Sequence, residues 1–346
     1  MAKYLAFHSN LGKISLLIEK RFLKVFGILI GIALGFLLVS IGLGSTTVLP
    51  QEVIKALLGY GLTEDNVIIN TLRLPRILAA FLVGVALAVS GSILQGLIRN
   101  PLASPDVVGI TGGASLGAIS FMFFLGGTIS IKWLPVAAIA GAWIIALLIY
   151  LLAWNKGVTP VRLVLVGIGI SSLMSAATSF MIVLNPGYTK TDAYIWLTGS
   201  LYAASWENVQ VLALWLAVLL PLAWFLTRIL NIHELGDHIA TGLGASVERE
   251  RFLLLFVSVA LAGVAVSVAG AVSFVGLIAP HIARKLVGRS FGAIIPTSAV
   301  VGGLIVLLAD LIARTVFLPY DVPCGVFTAG IGAPFFIYLL YRNRNQ

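Results

Sequence analysis

Residues 270–289 read GAVSFVGLIAPHIARKLVGR. A largely apolar run leads into Pro280 and His281, and the cations Arg284, Lys285 and Arg289 follow within nine residues. A helix breaker and an imidazole this close to hydrocarbon are costly unless the site is buried in protein or sits at an interface. The stretch from 274 to 288 therefore reads as a short, proline-broken half-span.

Composition extends that reading to the whole chain. Hydrophobic residues make up 60% and charged residues 10% of the sequence, and the mean hydropathy is +1.07. Soluble domains do not have this usage. Apolar windows long enough to span recur near 25–44, 77–98, 107–126, 134–154, 162–184, 208–230, 251–271, 293–316 and 325–341, besides 274–288. The expected fold is an all-α integral membrane protein of about ten transmembrane helices. A transmembrane β-barrel is excluded, because its strands would alternate polar and apolar residues. Residues 1–346 read as a single membrane domain without a soluble one.

The net charge of +9 follows from topology rather than from nucleic-acid binding. With the N-terminus in the cytoplasm and an even number of spans, most lysines and arginines, from Lys3 to Arg344, fall on the cytoplasmic side. Lys55, Arg73, Arg76, Lys132, Lys190 and Arg314 fall outside. This is the positive-inside pattern, with both termini cytoplasmic. The run at 25–44 is too long for a signal-peptide core and lacks a clear cleavage site, so it reads as a retained span.

Segments between the spans carry their own patterns. Leu11, Ile14, Ile18 and Phe22 share one helical face, which suits an interfacial helix over 11–24 or an extension of the first span. Gly27, Gly31 and Gly35 recur every fourth residue and are expected to pack within the chain. Trp133, Trp154, Trp196 and Trp206 lie near span ends, as interfacial anchors do. Residues 185–207 form an external excursion with a helical middle. The polar island 231–250, NIHELGDHIATGLGASVERE, is cytoplasmic by topology. In it Leu235, Ile239 and Leu243 repeat every four residues between Gly236, Gly242 and Gly244, which describes one or two short helices with an apolar face. A solvated loop needs no such face, and a protein partner would use it. Cys324 has no second cysteine to pair with and reads as a small packing residue.

Missing motifs narrow the chemistry. No G-x-x-x-x-G-K-[ST] cradles a nucleotide, and no H-E-x-x-H or Cys/His cluster forms a metal site, so no cofactor is expected. Asp310 is the one acid clearly inside a span, and it can pair with Arg314 one turn later. A proton- or ion-coupled carrier needs more ionisable groups at mid-depth than this. The chain thus reads as a path driven by another protein. An ion-coupled transporter is the contrasting reading. It requires that Asp310→Asn abolish uptake and that uptake persist without an ATPase. An intramembrane enzyme would need a nucleophile and base paired inside a span, and none is visible. Outside, Arg73 and Arg76 flank Pro75 at the mouth of the second span, with Arg314 on the same side. Forked guanidiniums suit bidentate capture of carboxylates, and membrane anchoring is the simpler alternative.

Three segments converge on a family. They are RLPR (73–76) running into GVALAVSGSILQGLIRNPLASPDVVGITGGASLGA (84–118), then GAVSFVGLIAPHIARKLVG (270–288), then LLADLIART (307–315) with PCGVFTAGIGAPFFIYLL (323–340). In order, spacing and content they closely resemble the FecCD-type permease subunits of ABC importers for iron–siderophores, haem and cobalamin. The likeness runs over about residues 25–342. One departure is Asp321-Val322-Pro323 followed by Cys324, where relatives often carry Glu-Leu-Pro or Glu-Ile-Pro and an aliphatic residue.

The resemblance implies a ten-helix fold like that of the cobalamin importer's permease. It implies a homodimer or heterodimer of permeases in the cytoplasmic membrane of a prokaryote, two cytoplasmic ATPase subunits and an external substrate-binding protein. The coupling segment would be Glu234–Gly244, with Glu234, Leu235, Gly236, Ile239, Ala240, Gly242, Leu243 and Gly244 at the ATPase. Arg73, Arg76 and Arg314 would meet acids of the binding protein. The inner constriction would fall at Thr159, Pro160 and Val161, and the path along Gly167, Ser171, Ser172, Ser175 and Thr178. A small, weakly polar lining lets a large chelate pass without being held. An iron–siderophore is the expected cargo, with haem and cobalamin as alternatives.

Overall fold

The computed structural model describes residues 4–8, 15–44, 46–60, 66–155, 157–184 and 187–343. It opens on two antiparallel strands, β1 (Tyr4–His8) and β2 (Ser15–Glu19), with Tyr4 opposite Glu19 and His8 opposite Ser15. This corrects the helix expected over 11–24. Residues 11–14 lie outside the described ones, and helix begins only at Lys20. The ladder pairs those backbone groups of 15–19 that face residues 4–8.

Helices follow, of which α2 was not expected: α1 (Lys20–Gly42), α2 (Pro50–Leu57), α3 (Leu74–Ile98), α4 (Ile110–Phe124), α5 (Leu134–Ala153), α6 (Pro160–Leu184) and α7 (Gly187–Thr198). Then come α8 (Trp206–Phe225), α9 (Thr227–His233), α10 (Asp237–Gly242), α11 (Val247–Ala269), α12 (Val275–Val287), α13 (Phe291–Thr315) and α14 (Cys324–Asn343). A π-helical turn, Ile68–Arg73, leads directly into α3. Proline opens α2 and occupies the first turn of α3 and α5, where its missing N–H costs nothing. Ser205 and Asn208 close a capping box at α8. Helix α7 lies where a helix was expected within 185–207, and residues 185–186 of that segment lie outside the described ones.

Eight of these helices are long and apolar enough to cross a membrane. The remaining two passes, α4 and α12, have 15 and 13 residues. At 1.5 Å per residue they reach roughly 22 and 20 Å, short of a hydrocarbon core of about 30 Å. Their N-termini meet inside the protein. Asp106 accepts a hydrogen bond from Thr111 Oγ1 at 2.6 Å and from the Phe274 N–H at 3.3 Å, so one carboxylate serves the first turns of both. A carboxylate there also complements two helix dipoles. The adjoining Gly276 packs against Gly91, seven residues before the end of α3. The chain after α3 therefore turns back roughly 10 Å into the bundle before α4 begins.

Helices α3, α11 and α13 are mostly buried within the protein, whereas α1, α6, α8 and α14 turn most of their surface outward. Lipid supplies no hydrophobic drive between helices, so close packing and hydrogen bonds must hold the centre. Gly84 lies against Gly302 and Gly91 against Gly276, so closely that an added Cβ would enter the partner's backbone. Ser90 and Ser258 hydroxyls meet at 2.8 Å, and Ser92 and Ser298 at 2.7 Å. The stripe Gly27, Gly31, Gly35 behaves otherwise. A Cβ at any of the three would meet nothing within 4 Å, so this stripe does not pack within the chain as expected.

Candidate functional site

At the end of the bundle where α3 begins and α13 finishes, a cavity of about 1050 Å³ opens between Gly44, Arg73, Arg76, Trp206, Arg314 and Asp321. All three arginines singled out by the sequence line it, yet each is less than a tenth exposed. Arg76 donates from Nε to Asp310 at 2.8 Å and holds Asp321 with both terminal nitrogens, at 2.5 and 2.9 Å. Arg314 approaches the other Asp310 oxygen at 3.5 Å and donates to the Ser40 carbonyl at 2.5 Å. Arg73 donates to the carbonyls of Ile41, Gly42 and Thr46 and to the Thr46 hydroxyl. The expected Asp310–Arg314 pair is thus present, but the shorter contact to Asp310 comes from Arg76, on another helix. Arg76 and Arg314 share Asp310, and Arg76 alone also holds Asp321. Cys324, beside this network, is buried and its thiol donates to the Gly199 carbonyl at 3.6 Å.

At the opposite end of α3, α10 is a short helix of the kind expected in the polar island, while α9 ends three residues into that island. Leu235, Ile239 and Leu243 are 55%, 54% and 65% exposed, an apolar row pointing away from the protein. A Cβ at Gly242 would meet open space, and Glu234 and Gly244 are exposed as well. Ala240 is different, fully buried on the inner face of α10. Gly236 has φ of 101°, a conformation that side chains rarely adopt, and it turns the chain into α10. Glu234 lies 3.7 Å from Arg284 of α12, and His233 is bonded to Glu250 of α11 at 2.9 Å. A second cavity, of about 490 Å³, separates Thr159 and Pro160 from Leu235–Ile239.

Helix α6 divides the expected path residues between two faces. Gly167 and Thr178 are buried, and Ser171 is half-buried. A Cβ at Gly167 would lie 2.9 Å from the Val108 carbonyl, and Ser171 lies beside Gly109, so this face packs on the start of α4. Thr159, Val161, Ser172 and Ser175 lie on the exposed face. A path along α6 would therefore use the exposed set.

The model of the FecCD transport family matches residues 29–342. The chain belongs to the FecCD transport family. It is similar to the Probable siderophore transport system permease protein YfhA of Bacillus subtilis, 48% identical over 95% of this chain and 97% of that one. It is likewise 48% identical to the Achromobactin transport system permease protein CbrC of Dickeya dadantii, over 91% of this chain and 90% of that one. Among solved structures, a metal-chelate type ABC transporter in an inward-facing conformation aligns with a TM-score of 0.81 at 29% identity, covering 92% of this chain and 99% of that one. The protein is thus a multi-span permease subunit.

In this permease, sequence reasoning found the Asp310–Arg314 pair but missed the acids that Arg76 and Arg99 meet. Asp321 and Asp310 meet Arg76 across more than 200 residues, and Asp237 meets Arg99 across 138. No local pattern announces such pairs. Glu248 and Arg251 are the exception, three apart in the first turns of α11 and in contact at 3.1 Å.

Proposed function

We propose that this permease forms the membrane path of an ATP-driven importer for iron–siderophore complexes. The observation that carries the reading is near-half identity, over nine-tenths of both chains, to permeases named for siderophore and achromobactin transport. A second permease subunit completes the path, and ATP hydrolysis belongs to separate cytoplasmic subunits. Both termini lie in the cytoplasm. The exposed row Leu235, Ile239, Leu243 supports an ATPase contact there, because an exposed apolar row of this kind is otherwise a liability in water. Glu234, Gly236, Gly242 and Gly244 lie around it, and Ala240 supports it from within. Differential contact with ATP-bound and ATP-free partners shifts the permease between its states.

At the outer mouth, Arg73, Arg76 and Arg314 are the proposed contacts of the substrate-binding protein. Their guanidiniums are already held, so an incoming carboxylate must compete. Asp321, at 24% exposure, is the acid it can replace, while Asp310 is fully enclosed. On the path itself, Thr159, Pro160 and Val161 form the inner constriction, and Ser172 and Ser175 line the route above it. Selectivity among chelates then rests with the binding protein.

The test is gentle purification from the native membrane, with and without Gly242 and Leu243 replaced by bulky charged residues. An ATPase should accompany the native protein and be lost from the variant, and the co-purifying binding protein should retain a ferric siderophore rather than haem or cobalamin. Uptake without any associated ATPase would sink the reading.

A further inference from the structure

A chain of charged side chains on the cytoplasmic face ties α10 to the loop that enters α6. Asp237 is the first residue of α10. One of its oxygens accepts from Arg99 Nη2 at 3.0 Å, and the other accepts from Arg251 Nη2 at 3.0 Å. Arg251 also donates from Nη1 to the Val158 carbonyl and to Glu248 at 3.1 Å. Glu248 in turn accepts from the Val158 N–H at 3.1 Å. Both backbone polar groups of Val158 are therefore held by α11. The next residues are Thr159, Pro160 and Val161.

Three features set this apart from an ordinary surface ion pair, which contributes little. Arg251 is 2% exposed, and a guanidinium at that depth is tolerated only while its partners stay in place. The guanidinium is planar and rigid, so a displaced Asp237 cannot be followed without disturbing the bond to Val158. Arg99 stands at the end of α3, a mostly buried central helix, in a left-handed conformation with φ of 57°. Asp237 thus lies between a fixed post and a movable link. The cavity between α10 and Thr159–Pro160 gives the two segments room to move. The other pairs of this face, Arg284 with Glu234 and His233 with Glu250, do not reach the loop.

We propose that Arg251 is a positioning residue that transmits displacement of α10 to the loop carrying Thr159–Val161, through Asp237 on one side and the Val158 backbone on the other. A partner pressing on Leu235, Ile239 and Leu243 moves Asp237, and the Arg251 fork carries the shift to the cytoplasmic constriction. This rests on the reading of α10 as the ATPase-facing segment and of 159–161 as the constriction.

The experiment uses the complete importer in liposomes, with a nitroxide on Val161→Cys reporting the constriction and ATP hydrolysis measured in the same vesicles. The variants are Arg251→Lys, which keeps the charge but not the fork, and Asp237→Asn, which keeps the shape but not the charge. In the otherwise native complex the nitroxide spectrum should change on adding ATP. In both variants, with the ATPase still bound, that change should shrink about tenfold, within the range usual for coupled sites. The double variant should do no worse than either single one, because the links act in series. A merely structural role would lower the melting temperature and leave the ATP response intact. Native-size responses in assembled variants overturn the proposal and leave the reading of both segments standing. Loss of the ATPase from Asp237→Asn also overturns it, since Asp237 would then be a contact and not a link. If the native complex itself shows no ATP response with ATPase bound, the reading of 159–161 as the constriction fails, and the proposal with it.

Discussion

Arg76→Gln tests whether the outer charge network is an internal strut. In the native protein Asp310 is fully enclosed and its closest partner is Arg76 Nε at 2.8 Å, with Arg314 at 3.5 Å. Removing Arg76 leaves a buried carboxylate with one distant cation and also frees Asp321. Breaking a buried pair from one side costs about 3–5 kcal/mol. For a chain of this length each kcal/mol moves the melting midpoint by about 2 °C, so the expected fall is about 6–10 °C. Asp310→Asn should cost less, about 2 kcal/mol, because Arg76 keeps Asp321 and Arg314 keeps the Ser40 carbonyl. The double variant buries no unpaired carboxylate. Its loss should fall short of the summed single losses by about 2 kcal/mol, the signature of coupled neighbours. The assay is thermal unfolding of the purified permease in one detergent, all four proteins side by side. A midpoint for Arg76→Gln within 2 °C of native, or strict additivity of the two singles, would refute the argument.

Other expectations follow from the packing. Gly91→Val should abolish accumulation of folded protein, since its side chain would enter the Gly276 backbone, whereas Gly31→Val should accumulate normally because nothing lies near it; membrane-fraction yield and gel-filtration profile distinguish them. Asp106→Ala removes the acceptor shared by Thr111 and the Phe274 N–H and should lower the melting midpoint by about 6 °C, from about 3 kcal/mol for two bonds to a charged group. Ser92→Ala should cost only about 1 kcal/mol, near the resolution of the same melting assay, because Ser298 keeps its bond to the Ile295 carbonyl; a loss as large as that of Asp106→Ala would show the serine pair to be a main support of the bundle.

The spans were legible because hydrocarbon imposes a strong, local constraint. Twenty apolar residues in a row admit one structure, and even the half-span at 275–287 was marked by its length and by Pro280. The stretch 15–19 was misread because a short amphipathic segment satisfies either a helix or a strand, and the pairing with residues 4–8 that decides it is not a periodicity. Glycine spacing failed for a related reason. Gly27, Gly31 and Gly35 share the four-residue pattern of close packing but face open space, while the close crossings of Gly84 with Gly302 and Gly91 with Gly276 join helices far apart in sequence.

The site shows the same division between what a residue type announces and what its partners decide. Arg73, Arg76 and Arg314 were visible as outer cations, and the row at 235, 239 and 243 as a face seeking a partner. Their environments turned out opposite. The apolar row is exposed and has no neighbour among the described residues to cover it, whereas the arginines are enclosed and already paired. An exposed apolar face can gain a partner simply by being covered. An enclosed arginine can gain one only by giving another up, so an acid docking at Arg76 would have to exchange with Asp321 and disturb the loop that carries it. Asp321 lies three residues before α14, and Cys324 at the head of that helix bonds to Gly199, beyond the end of α7. Exchange at Arg76 would therefore be felt where α7 and α14 meet. On the proposed docking, the outer mouth would register an arriving carboxylate as movement, as the proposed Asp237–Arg251–Val158 link would carry movement at the inner one.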